Sequence, residues 1–309
     1  MAHFREKLAI ILRGHILNPI WLSHSERRKR RGLATQDCVC RYLHKQIDFA
    51  HLTPSDYTSN DKPHDSSDDK CCPEKIVWTL WLQGEENAPA IIQTCLRSMR
   101  EHIQAEVRIL SEKDLFDYID LPPHIIDKWK AGKIRAAHFA DICRIELLYR
   151  YGGVWADASD YFSADLPAWL WDCDFFVYQS GEKQRGFYSF IQNCFIRAKK
   201  GSYLLAAWRE AIYRYWEKEE ATIDYFVHQL LFKMLVENNA KAAEEYEKMP
   251  KLVQDSTHSI WFDRGAQSFD AEEFKQLCSQ ALFQKTEYKS SLAQNPPKGS
   301  YAAYLTGGR

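Results

Sequence analysis

The sequence predicts an α/β domain with a largely parallel sheet. Two observations carry that expectation. Strand, helix, strand and helix signals follow one another over residues 75–119, and a long helical signal ends at Gly152-Gly153 and runs straight into a short strand. Sheets of this kind bind ligands at the carboxyl ends of their strands, so the residues at those ends are where chemistry is sought.

The elements are justified in chain order. KIVWTLWL, Lys75 to Leu82, is a short apolar run with β-branched and aromatic residues, stopped by Gln83 and Gly84. A helix follows, with Asn87 as its cap, Pro89 in its first turn and an apolar stripe of Ile91, Ile92, Cys95, Leu96 and Met99. EVRIL, Glu106 to Leu110, is a second strand. Ser111 then caps a helix over Glu112 to Ile119, with Asp114 in the capping-box position. Ile134, His138, Asp141, Ile145 and Leu148 recur at helical spacing, and Val154, Trp155 and Ala156 form a strand with Asp157 at its end. Phe175 to Tyr178 and Tyr188 to Ala198 read as strands. Helices are expected over Tyr203 to Glu220, Ile223 to Asn238, Ala240 to Lys248 and Ala271 to Leu282.

Composition divides the chain. Residues 1–51 read as a basic amphipathic helical extension and residues 52–74, rich in Pro, Ser and Asp, as a linker or mobile loop. Residues 75–290 form the main domain and residues 291–309 a C-terminal tail, in which Asn295 to Arg309 is expected to fray. With 45% hydrophobic and 14% aromatic residues, most of the chain is expected to pack. A net charge of −1 argues against a general nucleic-acid binder. Nine cysteines without a CxxC pair, and no signal peptide, point to reduced thiols in the cytoplasm rather than a zinc site or a disulfide framework. No apolar run reaches membrane-spanning length; the basic run Arg27 to Arg31 suits either an anionic lipid surface or a solvated helix face.

The spacing of the central block has chemical content. Asp141 and Arg144 lie three apart on one helix and can pair, and the Gly-Gly turn can return Asp157 beside them. A carboxylate at a strand end suits Mg²⁺ or Mn²⁺, which take oxygen ligands and share substrate phosphates. The same residues read equally as a structural ion pair and a turn. His138, on the face that holds Asp141, reads first as a core histidine.

The chain resembles the capsular polysaccharide synthesis glycosyltransferases, relatives of the yeast-type mannosyltransferases and the clostridial glucosylating toxins. The resemblance rests on KIVWTLWLQGEENAP, on the block from IDLPPHIIDKW to GGVWADAS, on IQNCFIRAKKG and on TIDYFVHQLLF. It implies a GT-A (Rossmann-like) domain that moves a sugar with retention from a nucleotide-sugar donor, UDP-linked, to a capsular or lipopolysaccharide-type acceptor, polysaccharide or lipid-linked oligosaccharide. It implies base contact at Trp78, with Gln83 and Gly84 on the same nucleotide-facing strand end, and donor-sugar contact at Asp141, Arg144 and Asn193. It implies a Mn²⁺ or Mg²⁺ ion at Asp157 with Ser159, Asp224 and His228, and a basic pair, Lys285 and Lys289, near the diphosphate. Ser159 stands where the family's Asp-x-Asp motif has its second carboxylate, which puts direct coordination by two carboxylates in doubt. A non-catalytic sugar-binding or scaffold subunit of a polysaccharide assembly complex is the competing reading.

Overall fold

The computed structural model describes residues 24–52, 75–181 and 190–307. The expectations for residues 1–23 of the N-terminal extension, for residues 53–74 and for the start of the strand at Tyr188 lie outside these residues.

In chain order the elements are α1 (His24–Gln46), β1 (Ile76–Leu80), α2 (Ala90–His102), β2 (Glu106–Leu110), α3 (Glu112–Leu115), α4 (Pro123–Lys130), α5 (Ala136–Tyr151), β3 (Gly153–Ala156), β4 (Asp160–Tyr161), α6 (Ala168–Asp172) and β5 (Phe175–Gln179). They continue with β6 (Ile191–Ala198), α7 (Tyr203–Lys218), α8 (Val227–Asn238), α9 (Ala240–Lys248), α10 (Ala271–Ser279), β7 (Gln284–Lys285), α11 (Ser291–Gln294) and α12 (Tyr301–Leu305). The main sheet runs β2-β1-β3-β6-β5. Strands β2, β1 and β3 are parallel, β6 runs against β3, and β5 runs against β6, so β6 alone is reversed. The mixed α/β fold with a parallel-rich sheet is as the sequence predicts.

Alternation along the strands loads both faces of this sheet. Ile76, Trp78, Leu80 and Trp155 join one apolar cluster with α5, α7 and α8, whereas Val77, Val154 and Ala156 join a second with α2, α10 and α12. The Gly152-Gly153 turn makes the step from α5 to β3 possible. Gly153 has φ +96°, and a Cβ on it would stand 2.5 Å from the Ile76 carbonyl oxygen; Gly152 has φ +70° and would meet the Lys200 amide nitrogen at 2.7 Å. The chain therefore needs glycine there for conformation and for close packing against β1 and the end of β6.

Four local expectations are corrected. Asn87 does not cap α2: it lies in a 3₁₀ turn, its amide donates to the Gln83 carbonyl at 2.8 Å, and Pro89 precedes the helix. The helix after Ser111 stops at Leu115, although the Asp114 carboxylate does accept from the Ser111 amide at 3.2 Å and its hydroxyl at 2.6 Å. The end of the chain is folded through α12, whose Tyr301, Ala302 and Leu305 are buried in the second cluster rather than fraying. The N-terminal segment is tied in as well. Val39, Leu43, Ile47, Phe49 and Leu52 belong to the first cluster, and Asn239 donates to the Phe49 carbonyl at 3.2 Å. Residues 38–52 are thus part of the core, because α8 presents an apolar face that the sheet alone leaves uncovered.

The glycine turn gives a direct test of this packing. Gly153→Ala should lower stability by about 2 kcal/mol or more, since an L-residue is strained at this φ and its methyl has no space. Urea unfolding would report it as a fall in midpoint at constant slope, and an unchanged midpoint would contradict the geometry.

Candidate functional site

The site is a chain of buried polar groups at the carboxyl ends of β1 and β3. Helix α5 supplies Asp141 and Arg144 one turn apart, β3 delivers Asp157, and β6 delivers Asn193 from the adjacent strand. The Arg144 guanidinium is the hub. One of its nitrogens lies 3.1 Å from Asp141 Oδ1 and 3.1 Å from Asp157 Oδ1, and a second donates to the Asn193 carbonyl. Its face lies 5.0 Å from the Trp155 ring centroid. The Asn193 amide donates to Asp141 Oδ1 at 2.9 Å and receives the Gln229 amide at 3.0 Å, so α8 braces the same group. Trp155 Nε1 donates to Asp157 Oδ1 at 2.9 Å, and the Asp157 amide donates to the Cys194 carbonyl at 2.8 Å.

On the other side of Asp157 stands Lys285. Its Nζ is 2.8 Å from Asp157 Oδ2 and 3.0 Å from Asp160 Oδ1. The two-stranded ribbon β4–β7 pairs Asp160 with Lys285, and Thr286 clamps the Ser159 carbonyl with its amide at 2.9 Å and its hydroxyl at 2.8 Å. Lys285, carried from the sequence as half of a basic pair, is therefore built into the centre. Lys289 is exposed, four residues on, with its Nζ 5.2 Å from the Tyr288 ring.

Charge balance explains the protonation states. Burial is the largest single influence on Asp141 and Asp157 and raises both, but Arg144 with His228 and His138 together reverses it at Asp141, and Arg144, Lys285 and the Trp155 N–H together reverse it at Asp157, so both stay below the ordinary carboxylate range. Burial dominates for Asp160, which has no exposed surface and is pushed up to about 7 despite Lys285. Burial also lowers His228 to about 4 although Asp141 opposes the shift, leaving a neutral imidazole at pH 7.

The expected metal ligands do not come together as one set. His228 lies instead with His138 and Asp141, their ligand atoms all within 4.8 Å. The His138 and His228 rings are parallel within 15° at 6.2 Å, His138 Nδ1 is 3.6 Å from Asp141 Oδ2, and both ring nitrogens of His228 are buried without a hydrogen-bond partner. Asp224 accepts from the Phe226 amide at 2.7 Å on the turn before α8. The residues at Asp157 do not fit a divalent cation. Both carboxylate oxygens already face positive or N–H donors, Ser159 offers no carboxylate, and the neighbouring Asp160 faces Lys285. Nor does the histidine cluster offer a better fit, because Arg144 holds a full positive charge against its only carboxylate.

Trp78 is a correction too. It sits in mid-strand with no exposed surface, donates to the Gly152 carbonyl at 3.0 Å and packs against Tyr118 and Tyr151, so its ring presents nothing to a base. Trp81, which sequence reasoning passed over, lies just beyond the carboxyl end of β1. It is half-buried, its ring is 5.1 Å from Tyr288, and its Nε1 is without a partner. Strand alternation carries the signal: it assigns Trp78 to the same buried face as Ile76 and Leu80, and it leaves Trp81 at the end where ligands bind. Gln83 is exposed, and Gly84, at φ +84°, donates to the Trp81 carbonyl at 2.9 Å, so both shape this edge.

The histidine gives a pH prediction. Folding lowers the His228 pKa from 6.5 to about 4, so the associated stability is fully present above about 6.5 and lost as pH falls through that window. Roughly 3 kcal/mol is at stake over the full shift. His228→Gln should flatten the fall in urea midpoint between pH 6.5 and 4.5. An identical slope in both proteins would show that other groups set the acid limit.

The comparisons follow this geometry. The capsular polysaccharide synthesis protein family matches residues 20–305. Among curated proteins, the chain is 27% identical over 178 residues to a glycosyltransferase, afumC, of Aspergillus fumigatus, covering 50% of this chain and 44% of that one. It is 26% identical over 186 residues to the O-glycosyltransferase PaGT of Phomopsis amygdali, 55% of this chain and 44% of that one. The chain thus spans less than half the length of these relatives. Among solved structures, the PaToxG glycosyltransferase aligns with 71% of this chain and 83% of its own, at 12% identity and a TM-score of 0.37, a likeness that carries no argument. The family match covers nearly the whole chain, and the chain belongs to the capsular polysaccharide synthesis protein family.

Proposed function

We propose that this chain is a glycosyltransferase of the GT-A type that moves a sugar, with retention, from a UDP-linked donor to a surface-polysaccharide or lipid-linked oligosaccharide acceptor. The single observation that carries the reading is the Arg144 guanidinium held between Asp141 and Asp157 at the carboxyl end of a parallel sheet. That arrangement puts hydroxyl-gripping carboxylates beside fixed positive charge, which is what an anomeric centre and a departing diphosphate require. The names of the curated relatives, glycosyltransferase and O-glycosyltransferase, support the activity in general.

In this reading the donor sugar lies against Asp141, His138 and His228. Their unpartnered imidazole nitrogens are buried donors or acceptors that a sugar hydroxyl would satisfy. Tyr225, 62% exposed and with its ring 5.5 Å from His138, forms the rim of this subsite. Trp81 takes the nucleotide side that the sequence assigned to Trp78, and Lys285 with Lys289 faces the diphosphate. The basic run on the first turns of α1 is proposed to rest on anionic lipid, beside a lipid-linked acceptor. No helix among the described residues is long and apolar enough to cross a membrane.

Calorimetry with UDP, GDP and their sugars, run beside a donor-hydrolysis assay, tests the reading. Wild-type protein should bind a nucleotide sugar and hydrolyse it slowly. Asp141→Asn should cut turnover by about a hundredfold or more while leaving nucleotide affinity within a few-fold, because its contacts tighten in the transition state. Silence of the wild type in both assays would favour a scaffold that binds only finished polysaccharide.

A further inference from the structure

We propose that the Lys285 ammonium takes the place of a divalent cation at Asp157, so that the departing diphosphate is met by Lys285 and Arg144 and transfer needs no metal ion. The proposal rests on the nucleotide-sugar reading above and names the group that neutralises the leaving charge.

Lys285 is not a surface lysine that happens to lean on a carboxylate. Its side chain is 15% exposed, and its Nζ bridges Asp157 and Asp160 at 2.8 and 3.0 Å. The residues on either side of it are immobilised. Gln284 receives the Ile260 amide at 3.2 Å and donates to the Ser256 and Leu277 carbonyls at 3.0 and 3.1 Å, and Thr286 holds the Ser159 carbonyl. The loop carrying Asp157 and the strand carrying Lys285 are therefore one rigid unit. Arg144 meets the opposite oxygen of Asp157, and the two side chains together bring the two positive charges that a divalent ion would bring. A metal ion entering at Asp157 would have to expel Lys285 from a buried ion pair, leaving Asp160 against it without its cation. Ser159 fits the same logic: a second carboxylate in the motif would add negative charge that Arg144 and Lys285, already shared among Asp141, Asp157 and Asp160, would leave unbalanced.

In the transfer itself, the bond from the anomeric carbon to the diphosphate oxygen breaks and its electron pair stays on that oxygen. The acceptor oxygen bonds to the anomeric carbon, and its proton leaves with the departing diphosphate. Lys285 and Arg144 face the charge that builds on the leaving oxygens, a fixed and preorganised source of stabilisation.

Two measurements on metal-stripped full-length protein decide the matter. The first is manganese binding to the free protein, followed by the loss of the free Mn²⁺ paramagnetic signal. Wild type should bind Mn²⁺ no more tightly than about millimolar, and Lys285→Met should gain a tighter site as the carboxylates are vacated. The second is donor turnover in EDTA and in Mn²⁺. Wild type should turn over within about threefold in the two buffers; Lys285→Met should lose about a hundredfold in EDTA and recover part of it with Mn²⁺; Lys285→Arg, which keeps a cation, should retain more turnover in EDTA than Lys285→Met and gain nothing from Mn²⁺. Wild-type turnover that EDTA abolishes and Mn²⁺ restores would overturn the proposal, as would Lys285→Met that is unimpaired in EDTA. If Lys285→Met fails to fold, the wild-type and Lys285→Arg arms still decide. Micromolar Mn²⁺ binding by wild type counts against the proposal even if no donor is turned over. Absence of turnover in both buffers without Mn²⁺ binding would instead remove the glycosyltransferase reading itself.

Discussion

One buried guanidinium organises this protein. Arg144 sits among Asp141, Asp157, Asn193 and Trp155, which come from its own helix, from β3 and its end, and from β6. Three carboxylates in so small a volume would be prohibitive without compensating charge. Arg144 and Lys285 supply it from opposite sides, and the position of every other polar group in the site follows from theirs. Burial by itself lowers the pKa of Arg144, yet Asp157 and Asp141 more than reverse that, so the charge is kept where the solvent is excluded.

The scaffold around this hub explains its rigidity. Helix α5 is buried along almost its whole length, and its polar residues at 141, 144 and 146 are as enclosed as its apolar ones. Glu146 is used internally: it receives Tyr213 and lies 3.3 Å from Arg209, locking α5 to α7 on the side away from the site. Asp141 and Arg144 are thereby left to face the strand ends. The β4–β7 ribbon closes the other side; β7 packs on the turn Ser259–Arg264, and α12 packs on the same turn within the second apolar cluster. The end of the chain is thus structural support for the residues that carry Lys285.

Trp78 in β1 and Trp81 just beyond it show where a sequence pattern is informative and where a resemblance misleads. Trp78 alternates with Ile76 and Leu80, and that periodicity alone assigns it to the core. Trp81 escapes the pattern because the strand has ended, and its buried indole nitrogen has no hydrogen-bond partner. The histidines divide in the same way. His138 reads from its helical position as a core residue, and it is buried; only α8, which brings His228 against it, makes a pair of buried imidazoles of it.

What the sequence determined by itself is what local periodicity and special backbone positions can encode. The α/β class, the strands of the main sheet, the long helices, the Gly152-Gly153 turn and the pairing of Asp141 with Arg144 all depend on residues close in the chain. The helix after Ser111 and the folded C-terminal segment were misjudged because tertiary packing overrode weak local signals there. What only the tertiary structure decided is the meeting of groups distant in the chain: Asn193 with Asp141 and with Gln229, Lys285 with Asp157 across 128 residues, and residues 38–52 with α8. Charge neutralisation is the physical reason. A buried carboxylate needs a cation, but nothing in its own neighbourhood of sequence states which lysine or arginine the fold will bring to it.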